Sequence, residues 1–183
     1  MDASSADRQL FDDTLSHELV LPLELLAACP ASLAGSEMRL RAIALVEDGR
    51  AEDAEERSEL SATVHRLEAK IDLLLGLSTS LAALHRPPLQ PVPVRLSARG
   101  LRLELPAAIA APAAIAAVSL QVAEWLPDTV VLPVQELLRL PASDGTVRLW
   151  LVFPALPDGL QAELERHVFR LHRREVASSR RQR

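Results

Sequence analysis

The clearest pattern of hydrophobic positions is a heptad repeat between residues 54 and 85. Apolar residues recur there at alternating steps of four and three, with leucine in all four d layers. The repeat consists of Leu60, Val64, Leu67, Ile71, Leu74, Ser78 and Leu81. A repeat this regular is typical of a coiled coil. It predicts one long helix that ends before Pro87 and Pro88, because proline excludes the residues ahead of it from helical geometry.

The positions that flank the heptad leucines indicate how many helices associate. Valine and isoleucine at a with leucine at d favour a parallel dimer. In the second half of the repeat the flanking positions become apolar, namely Leu75, Leu77, Ala82 and Leu84. This apolar stripe is wider than one partner helix can cover. A trimer, a tetramer, or a dimer covered by the preceding helix would bury it, and we expect a parallel homotetramer.

Two shorter patterns precede the repeat. Residues 17–21 turn apolar and predict a strand, which Pro22 confines to a sheet edge or a strand end. Between Ser36 and Glu47, apolar side chains at helical spacing predict an amphipathic helix, with Ser36 as its N-cap and Gly49 at its end.

The chain after residue 87 is predicted to form short strands followed by a helix. Its apolar segments are Val94–Leu96, Leu101–Leu105, Ser119–Leu126, Val130–Leu140 and Val147–Phe153. Turn residues separate them, and such regular short strands predict a small antiparallel β-barrel. Apolar residues at steps of three or four from Asp158, as N-cap, to Val176 predict a C-terminal helix.

Together these patterns predict an α+β fold in three parts. Residues 1–33 are an N-terminal segment that adds a strand to the barrel. Residues 34–86 are a helical insertion with the coiled-coil helix at 54–85, and residues 87–183 contain the barrel and the C-terminal helix. The long helix and the shorter helix before it are therefore inserted after the first strand of one domain.

Composition and charge argue against several classes of partner. Apolar residues make up 49% of the chain but aromatic residues only 3%, which favours helices and aliphatic strands over a ring-lined ligand groove. The formal net charge of -5 opposes nucleic-acid binding. The longest apolar stretch, Leu105–Val118, contains two prolines and is too short to cross a membrane. The single cysteine, Cys29, fits a reducing compartment, so we expect a cytoplasmic protein without membrane insertion.

The residue types that carry catalysis or bind metals show no recognisable arrangement. No glycines are spaced for a phosphate-binding loop, and no HExxH or CxxC motif is present. The histidines are scattered, and the five-residue step from His167 to His172 would place them on different faces of a helix. The sequence therefore predicts neither an enzyme nor a metal site.

One motif lies just before the alternating strand Leu101–Leu105. The segment from Arg95 to Gly100 contains Ser97 and Gly100 in an SxxG pattern. It resembles the D/NxSxxG motif of PilZ domains, small β-barrels that bind cyclic di-GMP. The resemblance extends through the following strands to the C-terminal helix. With its inserted heptad helix, the chain is similar to the atypical PilZ branch of proteobacteria such as the xanthomonads.

The motif departs from the ligand-binding PilZ pattern at two points. PilZ domains that bind cyclic di-GMP carry an upstream RxxxR segment, and no free-standing RxxxR precedes Ser97. The first motif position, normally an aspartate or asparagine that accepts hydrogen bonds from guanine, is Arg95, which only donates. We therefore expect a degraded cyclic di-GMP site at Arg95, Ser97, Arg99 and Gly100, and no cofactor.

Three functions are compatible with these observations. The resemblance implies a non-enzymatic adaptor whose oligomeric stalk presents several barrels to a protein partner in type IV pilus, motility or virulence regulation. The first alternative is a cyclic di-GMP receptor with a rearranged site that uses Arg95, Arg99 or Arg102. The second is a structural role in which the coiled coil pairs with a different heptad protein. We expect the adaptor, because tying several weak barrel contacts together makes them avid.

Overall fold

The structure, a computed structural model, describes most of the barrel and the helices around it. The described residues are 1–52, 71, 74, 81, 89–106, 112–123, 125–126, 128–142 and 145–181. Of the predicted coiled-coil helix at 54–85, they include Ile71, Leu74 and Leu81, which are helical. The other predicted oligomerisation positions, Leu60, Val64, Leu67, Leu75, Leu77, Ser78 and Leu84, lie outside the described residues.

Three helices and seven strands have defined bounds within the described residues. The helices are α1 (Ala3–Phe11), α2 (Ala34–Glu52) and α3 (Asp158–Arg181). The strands are β1 (Ser16–Leu26), β2 (Gln90–Ser97), β3 (Gly100–Pro106), β4 (Ala117–Leu120), β5 (Val130–Pro133), β6 (Gln135–Pro141) and β7 (Thr146–Val152). The predicted α+β class is confirmed.

The strands form one antiparallel sheet in the order β5-β4-β1-β2-β3-β7-β6. The N-terminal strand β1 lies between β2 and β4. The two edge strands, β5 and β6, are separated in the chain by Val134 alone. Because strands are spaced about 4.8 Å apart, one residue cannot connect the edges of a flat sheet of this width. The sheet therefore curls into a half-barrel, as the short strands predict.

Strand β1 is longer than the predicted residues 17–21 and is not an edge strand. Pro22 lies opposite Pro91 in the β1–β2 pair. Its carbonyl oxygen points to the other side, where it accepts a hydrogen bond from the Gln121 N–H at 3.0 Å. Proline has no N–H group to donate to a neighbouring strand. Strand β4 ends at Leu120, before the position opposite Pro22, so the β1–β4 ladder loses no hydrogen bond there. The prediction that Pro22 lies at a sheet edge or at a strand end is wrong, because Pro22 is inside β1 and β1 has a neighbour on each side.

Helix α2 begins and ends differently from its prediction. Ser36 is not the N-cap, because its Oγ donates to the Val131 carbonyl at 2.8 Å and accepts from the Val131 N–H at 2.9 Å. In the first turn of the helix, the Leu33 carbonyl instead accepts a hydrogen bond from the Ser36 N–H. The helix also continues past Gly49, since a glycine inside a helix costs only about 1 kcal/mol. Ser36 thus ties α2 to β5.

Two barrel strands also differ from their predictions. The strand predicted at Ser119–Leu126 ends at Leu120. The segment Val130–Leu140 is two strands rather than one, because the chain crosses between the sheet edges at Val134. These boundaries depend on the curl of the sheet, which the local pattern does not encode.

The two faces of the sheet carry separate apolar clusters. The inner face buries Leu101, Leu103 and Leu105 of β3 beneath α2 and α3. On the outer face, Trp150 of β7 packs against α1 through Ala6, Leu10 and Phe11. Fully burying a large apolar side chain contributes about 1.5–3 kcal/mol, so this cluster stabilises the packing of α1 on the sheet.

Helix α3 packs on the inner face with the apolar residues that its spacing predicts, Leu160, Leu164 and Val168. It continues to Arg181, beyond the predicted end at Val176. None of the helices in the described parts of the chain is both long and apolar enough to cross a membrane.

His167 lies on the buried face of α3 and makes the stability of the protein depend on pH. Its burial, together with the nearby charges of Arg170 and Arg174, lowers its pKa from 6.5 to about 4. Between these two pH values the unfolded chain binds a proton that the folded chain does not bind. The free energy of unfolding should therefore fall as the pH drops through this window, by up to about 3 kcal/mol.

Urea unfolding at a series of pH values from 7 to 4 measures this effect. A His167→Leu variant removes the titrating group and should show a shallower loss of stability over the window. An identical slope in the variant and the parent would contradict the assignment to His167.

Candidate functional site

Ser97 lies at the end of β2, in the bend that leads to β3, and is fully buried. Its Oγ accepts hydrogen bonds from the N–H groups of Arg99 at 3.1 Å and Gly100 at 3.2 Å. It donates to the carbonyl oxygen of Leu10 in α1 at 2.7 Å. A serine hydroxyl offers one donor and two acceptor sites, so these bonds use its full capacity. The motif serine shapes the bend and ties it to α1.

Gly100 lies where the backbone of β7 and the Leu10 side chain of α1 both come close to the start of β3. It pairs with Val152 in β7. A Cβ at this position would lie 2.3 Å from the carbonyl oxygen of Leu151 and 2.8 Å from Cδ2 of Leu10. Only glycine fits such a close approach, so the packing of β7 and α1 requires it.

A row of large side chains crosses the outer face of the sheet beside this bend. Glu18 of β1 lies opposite Arg95 of β2, Arg95 lies opposite Arg102 of β3, and Arg102 lies opposite Trp150 of β7. Like charges that face each other across two strands destabilise a sheet. The two arginines therefore need partners of opposite charge or aromatic rings.

Helix α1 supplies those partners. The Asp7 carboxylate accepts hydrogen bonds from Arg102 Nη1 at 3.0 and 3.1 Å and from Trp150 Nε1 at 2.7 Å. The Phe11 ring lies against the guanidinium of Arg95, with 4.3 Å between the Arg95 Cζ and the ring centroid. This is a cation–π contact, and the hydrogen bond from Arg102 is charge-assisted. We call the face formed by α1 and this row the motif face.

Local sequence explains why α1 forms and how it reaches the motif. The Asp2 side chain caps the helix by accepting a hydrogen bond from the Ser5 N–H at 2.8 Å. After the helix, Asp13 adopts the left-handed conformation (φ 56°), which aspartate tolerates better than most residues, and turns the chain toward β1. The same turn places the Asp12 carbonyl 2.9 Å from Nη1 of Arg99.

The structure brings the four predicted motif residues together, and each of them contacts the N-terminal segment. Besides its contact with Phe11, Arg95 donates to the Ser16 Oγ from Nε at 3.2 Å and from Nη2 at 3.1 Å. Arg99 is exposed, whereas Ser97 and Gly100 are buried. A cleft of about 290 Å³ remains beside the arginine row, and its lining includes the carboxylates of Glu18 and Glu104.

The sequence analysis did not predict several residues of the motif face, namely Asp7, Leu10, Phe11, Glu18 and Trp150. A signal for the helix was available, because an N-cap aspartate precedes apolar residues at helical steps. Its docking position had no local signal, since Asp7 and Trp150 are separated by 143 residues in the chain.

The comparison with protein families identifies this fold. The model of the atypical PilZ domain, described as a cyclic di-GMP receptor, matches residues 40–181, which is most of the chain. The chain belongs to the atypical PilZ family. The predicted resemblance is confirmed, and the match leaves α1 and β1 of this PilZ protein outside its bounds.

Two solved PilZ structures are similar to this PilZ protein. One is a pathogenic protein from Xanthomonas campestris, described as a new tetrameric PilZ domain self-assembled via an unusual helical bundle. It is 43% identical, covers 96% of this chain and 97% of its own, and has a TM-score of 0.80. The other, the PilZ domain of YcgR from Escherichia coli with cyclic di-GMP, is 18% identical over 49% of this chain and 76% of its own, with a TM-score of 0.33. No curated protein sequence matches the chain significantly.

Proposed function

We propose that this PilZ protein is a non-enzymatic regulatory adaptor that self-assembles through its coiled coil and binds protein partners. In this chain, the residues at the position of the family's cyclic di-GMP motif bind the N-terminal segment of the same chain instead of a nucleotide. The observation that carries the proposal is the motif face, where α1 and the turn after it use the groups that a ligand would need. Arg95 contacts Phe11, Arg99 contacts the Asp12 carbonyl, and Arg102 contacts Asp7.

A nucleotide that bound these arginines would first have to displace α1. Displacement breaks the hydrogen bonds from Arg102 and Trp150 to Asp7. It also exposes the Trp150 side chain, which is only 1% exposed while α1 covers it. Each charged hydrogen bond contributes about 1.5–3 kcal/mol and the buried ring a similar amount. Because about 1.4 kcal/mol is a factor of ten in affinity, opening the face would weaken binding by orders of magnitude.

The assembly proposal is supported by the two heptad side chains Ile71 and Leu74. Both are helical, and they are 47% and 62% exposed in the single chain. Apolar residues at a and d positions are buried when helices associate in a coiled coil. The Xanthomonas campestris relative is described as a tetramer assembled through a helical bundle. We therefore propose a tetramer for this PilZ protein as well.

A tetrameric stalk gives the adaptor its physical advantage. Four linked barrels can contact a partner several times, and linkage turns weak contacts into avid ones. By family resemblance, we propose that the partner belongs to type IV pilus, motility or virulence regulation and that binding takes place in the cytoplasm.

The second candidate function is a cyclic di-GMP receptor with a rearranged arginine site. It is favoured by Arg99, which is exposed at the edge of the motif face, and by the description of the family as receptors. In this case α1 would have to move when the nucleotide binds.

Calorimetric titration of the full chain with cyclic di-GMP separates the two functions. We expect no saturable binding at nucleotide concentrations up to about 100 μM, because α1 occupies the motif face. Binding at micromolar concentration that is lost in Arg99→Ala but kept in Arg139→Ala would overturn the adaptor in favour of the receptor. Arg139 is a suitable control because it pairs with Glu136 on β6, a strand that β7 separates from β3.

A further inference from the structure

A second polar cluster lies where the start of β1 meets the C-terminal half of α3. His17 of β1 is 6% exposed, and its Nδ1 is 3.0 Å from Oε2 of Glu175. The ring centroids of His17 and His172 are 5.6 Å apart. The sequence predicts no metal site because its histidines are scattered, but the fold brings these two together with a carboxylate.

The donor set of this cluster suits a transition metal. One donor atom from each of His17, His172 and Glu175 lies within 4.8 Å of the other two. A tetrahedral zinc ion with bonds of about 2.0–2.1 Å holds its ligand atoms about 3.4 Å apart. The donor atoms would have to move closer by up to about 1.4 Å, and the Glu175 side chain, which is 67% exposed, has room for such a shift. Two imidazoles with one carboxylate favour zinc over magnesium or calcium.

The helix and the strand position these donors in complementary ways. His172 and Glu175 are three residues apart on α3, which places them on the same face of the helix. His17 approaches from the sheet, where it pairs with Leu96 of β2. A metal ion between them would therefore link the outer half of α3 to the first strand of the barrel.

His17 also has an unsatisfied group that points to a ligand. Its Nε2 is buried and has no hydrogen-bond partner among the described residues. Leaving a buried polar group without a partner costs about 1–3 kcal/mol, and native proteins usually fill such positions with a protein group, water or an ion. The other ring nitrogen, Nδ1, faces Glu175 at 3.0 Å and is the one placed to bind the ion.

Two arginines near the cluster share a carboxylate partner on α2. Arg174 and Arg170 lie on the same helix, and both approach the Glu47 carboxylate of α2, at 2.8 Å and 3.5 Å. The Glu47 side chain is 8% exposed, so its charge acts on them with little screening by solvent. Glu47 is thus a carboxylate partner of both arginines.

We propose that His17, His172 and Glu175 form a binding site for one zinc-class divalent ion per chain. The three protein ligands leave the fourth position to water. The bound ion fastens α3 to β1 at the end of the barrel that lies beside α2. This site is separate from the motif face and does not depend on the function proposed for it.

Titration of the chelator-treated full chain with Zn²⁺, followed by calorimetry, tests the site. Cys29→Ser serves as the parent chain, because Cys29 is an exposed free thiol that could bind zinc by itself. We expect one zinc per chain and a rise in melting temperature with zinc. His172→Ala and Glu175→Gln should weaken binding at least about tenfold. Glu165→Gln, at an exposed position that bonds to Gln161 on the same helix, should bind like the parent.

Cobalt supplies a second measurement. Co²⁺ in the same site should give the visible absorption of a tetrahedral ion, and His172→Ala should abolish it. Circular dichroism checks that each variant remains folded, which the partial exposure of His172 and Glu175 favours. The proposal fails if the parent binds no zinc, or if His172→Ala and Glu175→Gln bind it as tightly as the parent.

Discussion

Replacing Ile71 and Leu74 together by aspartate is expected to convert the oligomer into monomers. The two residues are successive a and d positions of the heptad repeat, and both are exposed in the single chain. In a coiled coil they face the partner helices, so the double variant would bury two carboxylates from every chain in adjacent layers. Burying an unpaired charge costs several kcal/mol, and symmetry repeats that cost in each protomer.

Sedimentation or light scattering of the purified chain measures the change in mass. We expect a tetramer for the parent and a single chain of 20.0 kDa for the double variant. Val20→Asp is the matched control, since it places the same charge at an apolar side chain that is 65% exposed on β1. A double variant that keeps the mass of the parent would show that this helix does not hold the assembly together.

Gly100→Ala is expected to destabilise the barrel by about 3 kcal/mol or more. The new methyl group would lie 2.3 Å from the Leu151 carbonyl oxygen and 3.0 Å from the Val152 Cα. Both atoms belong to the backbone of β7, which is paired along its length with β3 and cannot move aside without breaking the ladder. The same methyl group would press on Leu10 and loosen α1. Urea unfolding of the full chain measures the loss.

Gly35→Ala controls for the general effect of replacing a glycine. Its Cβ would meet only the guanidinium end of Arg39 at 2.8 Å, and a long side chain can move away at little cost. Gly35 is in the first turn of α2, where alanine favours the helix by up to about 1 kcal/mol. The control should therefore match or exceed the stability of the parent. Equal stabilities of Gly100→Ala and Gly35→Ala would contradict the close packing at the motif.

The barrel and α3 are predictable from the sequence because their signals are local. Leu101, Leu103 and Leu105 alternate with Arg102 and Glu104, and the structure buries the leucines and turns the charged residues outward. This alternation depends only on the period of a strand. The exact ends of β4, β5 and β6 are not predictable, because they depend on the curl of the whole sheet.

The N-terminal helix shows the limit of the same method. Asp2 and the apolar steps that follow it signal a helix, but no local pattern relates Asp7 to Arg102 or Trp150. Only when β7 lies beside β3 do these side chains form one surface for α1 to cover. The histidine cluster is a similar case, since His17 and His172 lie at opposite ends of the chain and meet because α3 folds back over β1.

The sequence alone determined that this PilZ protein has an SxxG motif and that Arg95 stands where the D/NxSxxG motif begins with aspartate or asparagine. It also predicts a heptad helix that associates with copies of itself. These features are periodicities and short motifs, and they depend only on residues that lie close together in the sequence. Only the tertiary structure decided what Arg95, Ser97, Arg99 and Gly100 contact. Their partners on α1 and in the turn after it lie more than eighty residues away, and long-range packing and charge pairing bring them together.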